Sequence, residues 1–132
     1  PRKREGFEFD PMAQYQHLPI YKTTYELLQI VTRATAGFSK AYKYSLGDKL
    51  RAEVVELVVY LYKANSSRGA DRVAHAATFL ERLQVVELMV RLSKDLRLLN
   101  VKQFSEIVGL SDGLGRQAQG WIKASATLAE SK

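Results

Sequence analysis

From Ala70 to Leu99 the chain runs thirty residues without a proline or a glycine. Strands seldom exceed about ten residues, whereas a helix of that length is a rod about 45 Å long. Its apolar residues (Val73, Ala77, Leu80, Leu83, Val86, Leu88, Met89, Val90, Leu92, Leu96 and Leu99) cover far more than the roughly 100° stripe that one core contact requires. The spacing predicts one long helix with apolar surface in excess of a single core face, closed by Asn100.

Its neighbours follow the same period. From Leu18 onward, Ile20, Thr24, Leu27, Leu28, Val31, Thr35 and Phe38 recur at steps of three and four. Pro19 suits the first turn, where its missing N–H costs nothing, and Gly37 suits an end. A second helix is expected from Ser45 as N-cap, with Asp48 in the acidic place of a capping box. Leu46, Leu50, Val54, Leu57, Val58 and Leu61 form its stripe. Within it VVELVVYLY (Val54–Tyr62) also fits a buried strand, but the helical spacing continues through the residues before it. Residues 65–69, Asn-Ser-Ser-Arg-Gly, read as a turn. A fourth helix is expected from Val101 to about Leu128, with Phe104, Ile107, Val108, Leu114, Ala118, Trp121 and Ile122 inward. Four such patterns on short connections predict an all-α, up-down-up-down four-helix bundle over residues 18–132. Residues 1–17 read as a leader, disordered or a fusion remnant, with Met12 a candidate start.

Glycines 109, 113, 115 and 120 interrupt the fourth pattern, each costing about 1 kcal/mol against alanine in a helix interior. Three readings stay open: a phosphate-cradling loop, a helix break near Ser111-Asp112-Gly113, or close approach of another backbone, from a neighbouring helix or another subunit. The first lacks a preceding strand and the lysine and hydroxyl of a P-loop. The third is the one favoured.

Catalytic chemistry finds little to stand on. There is no cysteine, which excludes disulfides, thiolate metal sites and cysteine nucleophiles. His17 and His75 are isolated, with no spacing that writes a zinc or di-iron site, and His75 among alanines reads as structural. Glu53, Glu56 and Asp95 lie near basic residues as solvated helix faces. The expectation is a protein that is no enzyme, needs no cofactor or metal, spans no membrane and works in the cytoplasm.

The net charge of +6 points to a polyanion. Between Lys22 and Arg51 six basic residues face two acidic ones, Glu26 and Asp48. Lys40, Lys43, Lys49 and Arg51, with Arg68 and Arg72, are the candidate nucleic-acid-binding residues. They come from two connections at opposite ends of an up-down bundle, so they form a stripe or meet across subunits and not one tight cluster. Arg82, Arg91, Lys94 and Arg97 are next in line. Tyr42 and Tyr44 either stack on unpaired bases or pack over the end of the bundle.

The order KYSLGDKLRAEVVELVVYLYKANSSR, then FLERLQVVELMVRLSKDLRLL, then a glycine-interrupted helix ending in GWIKA, resembles the accessory variability determinant proteins of diversity-generating retroelements, akin to the four-helix bundles encoded by ribosomal-RNA intervening sequences. The likeness covers about Leu18 to Ala124. It implies a bacterial, archaeal or phage-encoded bundle that assembles into a five-membered ring. Such a ring joins a reverse transcriptase and template RNA in mutagenic cDNA synthesis without polymerising itself. On this resemblance Lys43, Lys49 and Arg51 match the family's basic start of helix two, and Arg68 and Arg72 that of helix three. The competing expectation is a basic helical protein-interaction scaffold without direct nucleic-acid binding; a membrane-surface role is disfavoured because acids interrupt the basic faces.

Overall fold

A computed structural model describes residues 18–130, with side chains through Ser125; the expected leader lies outside the described residues. Four long helices make up most of the described residues: α1 (Pro19–Ala36), α2 (Asp48–Asn65), α3 (Gly69–Asp95) and α4 (Val101–Glu130). A three-residue helical turn, Lys40–Tyr42, and a π-helical segment, Lys43–Gly47, lead into α2. No strand occurs among the described residues, so Val54–Tyr62 is helical. Packing is chiefly between α1 and α2, α2 and α3, α3 and α4, and α4 and α1. Each helix thus lies against two others round a shared core.

The core residues repeat as the periodicity requires. In α2, Leu50, Val54, Leu57, Leu61 and Ala64 are fully buried, at alternating steps of four and three. In α3, Ala76, Phe79, Leu83, Val86, Val90 and Ser93 are buried at alternating steps of three and four. Ile20, Leu27 and Val31 from α1 and Ile107, Leu114 and Ala118 from α4 complete the interior. Hydroxyls enter this core without being orphaned. Thr24 Oγ1 donates to the Ile20 carbonyl at 2.7 Å, Thr35 Oγ1 to Val31 at 2.8 Å and Ser93 Oγ to Met89 at 2.8 Å. Each satisfies itself one turn back along its own helix, which removes the penalty of a buried unpaired donor.

Three boundaries differ from expectation. Ser45 is not the N-cap of the second helical stretch. Helical structure already begins at Lys40, and Ser45 sits inside the π segment with its Oγ 3.4 Å from the carbonyls of Ala41 and Tyr42. Carried back from Leu57 and Leu50 in seven-residue steps, the buried stripe would reach Lys43. Gly47, three residues before Leu50, continues the buried row, and the wide π turn absorbs an extra residue ahead of it, leaving Lys43 half-buried.

The third helix stops at Asp95, short of Leu99. Arg97 adopts a left-handed φ of 62°. The Leu98 N–H reaches back to the Ser93 carbonyl at 2.8 Å and the Arg97 N–H to Lys94 at 2.9 Å. That is the Schellman arrangement, with arginine where glycine is usual. Asn100, expected to close α3, opens α4. Its Oδ1 accepts from the Gln103 N–H at 2.7 Å, and its own N–H donates to Gln103 Oε1 at 3.0 Å, a reciprocal capping box.

Both ends can be tested by urea unfolding. Arg97→Gly should raise stability by about 1 kcal/mol, because glycine enters the left-handed region without a Cβ clash. Asn100→Ala should lower it by about 1 kcal/mol, because the cap is removed. Unchanged midpoints in both variants would contradict this account of the α3–α4 corner.

Candidate nucleic-acid interface

The candidate cations fall into two groups separated by the length of α2, about 27 Å for its 18 residues. The first lies where α1 hands over to α2. Lys40 and Lys49 are exposed, and neither has a carboxylate partner among the described residues. Lys43 is half-buried, its Nζ 5.6 Å from the centroid of the Tyr44 ring. Arg51 is committed to the fold. It pairs with Asp48 through Nη2 and donates through Nη1 to Thr35 Oγ1 at 2.6 Å, tying α1 to the start of α2.

The second group sits at the α2–α3 connection. Arg68 is exposed and precedes the first residue of α3. Arg72 turns back onto α2, donating from Nε to the Ala64 carbonyl at 2.9 Å and from Nη2 to Asn65 at 3.2 Å. It thereby covers carbonyls that a helix C-terminus leaves without partners. Its guanidinium also lies 5.6 Å from the centroid of Trp121 on α4, so one side chain touches three helices. Beside it Lys63 lies 4.7 Å from the Tyr60 ring centroid, and that ring is 6.3 Å from His75. Half-buried His75 is thus part of an inter-helix contact.

The six candidates therefore divide by chemistry. Lys40, Lys49 and Arg68 present charge to solvent, Lys43 is shared with an aromatic ring, and Arg51 and Arg72 hold helices together. Lys40 lies in the longest stretch free of carboxylates, with no acidic residue between Glu26 and Asp48, and Arg68 in a shorter one between Glu56 and Asp71. The reserve candidates have neighbours. Arg82 pairs with Glu53 at 3.3 Å, and Lys94 Nζ stands 5.0 Å from the Phe104 ring centroid. Arg91 lines a groove of about 410 Å³ between α3 and α4 alongside Glu87 and Asp112, carboxylates that would repel a phosphate. In that groove the buried Ser111 hydroxyl donates to Glu87.

The tyrosines separate as well. Tyr44 is 68% exposed and Tyr42 36%, and neither joins the core cluster, whereas Leu46 between Ser45 and Gly47 packs against it. Tyr44 therefore does not pack over the end of the bundle. The outer face of α3 carries Val85, Leu88 and Leu92 in the open, Leu88 at 69%, and Leu96 just past its end is exposed as well. This is the excess apolar surface that the sequence pattern called for.

The glycines of α4 lie in continuous helix, so neither a loop nor a break occurs at Ser111-Asp112-Gly113. No described backbone from another helix approaches them. A Cβ at Gly109 or Gly120 would meet nothing within 4 Å, and at Gly115 only the Leu83 side chain at 3.9 Å. Among the described residues no cluster of three His, Cys, Asp or Glu is disposed to hold a metal. No described helix is long and apolar enough to cross a membrane.

Comparison with known proteins returns one family model, bAvd-like, matching residues 18–125. No curated protein and no solved structure matches.

The assignment of Arg72 to the fold has a direct check. Arg72→Ala leaves carbonyls at the end of α2 without donors and should cost about 1–3 kcal/mol in urea unfolding. Lys49→Gln, at an exposed site, should stay within about 0.5 kcal/mol of the parent. Equal stability of the two variants would return Arg72 to the pool of free cations.

Proposed function

The chain belongs to the bAvd-like family, the accessory variability determinants of diversity-generating retroelements, and from that membership we propose that it binds template RNA and a retroelement reverse transcriptase and supports mutagenic cDNA synthesis without catalysing it. The observation that carries the reading is the start of α2, where Lys40 and Lys49 stand exposed, without carboxylate partners among the described residues. Phosphates bound there release counterions, which gives affinity without sequence preference and makes it fall with salt. Lys43 and Arg68 add to the same surface chemistry. Arg51 and Arg72 contribute mainly by holding the helices that present the others.

The scaffold on this reading is an up-down-up-down bundle. Cross-helix pairs support the alternation: Glu53 meets Arg82 while Ala64 meets Arg72, and Lys94 meets Phe104 while Glu87 meets Ser111. The protein works in the cytoplasm as a homo-oligomer, the five-membered ring that the family resemblance implies. The open apolar row Val85, Leu88, Leu92 and Leu96 supports assembly, since nothing among the described residues covers it. Repetition round a ring turns a weak phosphate contact into an avid one through effective concentration. The same row is the observation that favours the second reading, a basic protein-interaction scaffold that touches the polymerase and not the RNA.

Binding of a structured RNA to the purified protein at two salt concentrations separates these readings. The nucleic-acid reading expects tight binding at low salt that collapses at higher salt. It also expects Lys40→Gln and Lys49→Gln each to reduce the salt slope by about one unit per phosphate released. Absence of binding at low salt leaves the protein scaffold. Assembly is tested separately by sedimentation: the parent should be oligomeric at micromolar concentration, and Leu88→Glu should yield smaller species that remain helical. A monomeric parent would remove the ring.

A further inference from the structure

We propose that the π-helical turn Lys43–Gly47 holds Tyr44 outward as a stacking platform for an unpaired nucleobase, with Lys43 and Lys40 beside it to take the flanking phosphates. The inference rests on the nucleic-acid reading above and deepens it, because it specifies unpaired RNA as the form recognised.

A single exposed tyrosine is ordinary on a protein surface. Further observations make this one different. The backbone beneath it departs from the α-helix, and π turns of this kind recur at functional sites. The departure has a geometric result: Gly47 is buried beside Phe38 and Thr35, Leu46 packs on the core, and Tyr44 is left 68% exposed. The Lys43 ammonium lies 5.6 Å from the ring centroid, which orients the ring and engages one of its faces. A ring has two faces, and a base needs only the other.

Lys40 is four residues before Tyr44, about one helical turn away and so within reach of the same nucleotide's backbone. Tyr42, partly exposed, adds a second aromatic surface close by. No carboxylate precedes this segment as far back as Glu26, so nothing in that stretch of chain repels a phosphate. Aromatic rings interleaved with lysines are what single-strand binders use: stacking tolerates any base, and the cations follow the backbone. A duplex offers its phosphates to the lysines but no free base face to Tyr44. The turn should therefore prefer single-stranded segments, loops and ends of an RNA over its helices.

The test measures affinity for a 12-nucleotide oligoadenylate and for an RNA duplex of equal length, with the parent, Tyr44→Ala, Tyr44→Phe and Lys40→Gln. Tyr44→Ala should weaken oligoadenylate binding by about fivefold to a hundredfold. It should leave the duplex affinity and the salt slope nearly unchanged. Tyr44→Phe should restore binding, since stacking needs the ring and not the hydroxyl. Lys40→Gln should lower the salt slope on both probes. Parent-like oligoadenylate binding by Tyr44→Ala would overturn the platform while leaving the phosphate contacts of the lysines intact. An equal weakening on both probes would also overturn it. A parent that binds neither probe would bring down the nucleic-acid reading and this inference together.

Discussion

The meeting of α2 with α3 sets the terms for the rest of the chain. Their buried rows, Leu50-Val54-Leu57-Leu61-Ala64 and Ala76-Phe79-Leu83-Val86-Val90, both advance by alternating steps of three and four. Each fully buried leucine or phenylalanine contributes about 2 kcal/mol. A slip of one residue would rotate a helix by about 100° and turn the whole row away from its partner. The phase of both helices is therefore fixed over many residues at once. What precedes and follows must adapt to it.

The adaptation at the front of α2 is the π turn. A regular helix continued backwards from Leu50 would bring Lys43 toward the interior, where an unpaired ammonium is costly. Widening the turn lets the chain keep its helical hydrogen bonding while Gly47 takes the crowded place. The cationic, aromatic segment next to so apolar a helix is thus a consequence of phase. Ahead of the fixed row of α2, Lys40 and Tyr44 face outward while Lys43 stays half-buried beside the Tyr44 ring. At the other end Arg72 does the opposite, committing its charge to the carbonyls of α2 and the face of Trp121. A basic side chain thus either stays in solvent, as Lys40 does, or holds helices together, as Arg72 does, according to whether a helix end lies within reach.

Repetition made much of this readable before any coordinates. The stripes of Ile20 to Phe38, of Leu50 to Leu61 and of Leu83 to Val90 are averages over many residues, and no single misreading disturbs them. The excess apolar surface of the third helix was legible for the same reason. Events at single residues were harder. Arg97 in the left-handed region carries no sign of it in its chemistry, so α3 was expected to run on to Leu99. Asn100 with Gln103 does carry a sign, an Asn-x-x-Gln capping pattern, which the long apolar run before it masks. The candidate site was legible as a set of cations but not in its division of labour. Whether Arg51 or Arg72 is free depends on Thr35, Asp48 and Ala64, partners that only the packing brings near.

The four glycines of α4 carry one more implication. They occupy an unbroken helix in which no described backbone nearby needs the room they leave. At about 1 kcal/mol each, they lower the cost of unwinding this stretch relative to an alanine helix of equal length. Burial of Leu114 and Ala118 in the shared core offsets that loss. The fourth helix thus combines a firm beginning, fastened by Asn100 and Gln103, with a middle of low intrinsic stiffness. That middle is therefore held in shape by the core contacts of Leu114 and Ala118 more than by its own backbone.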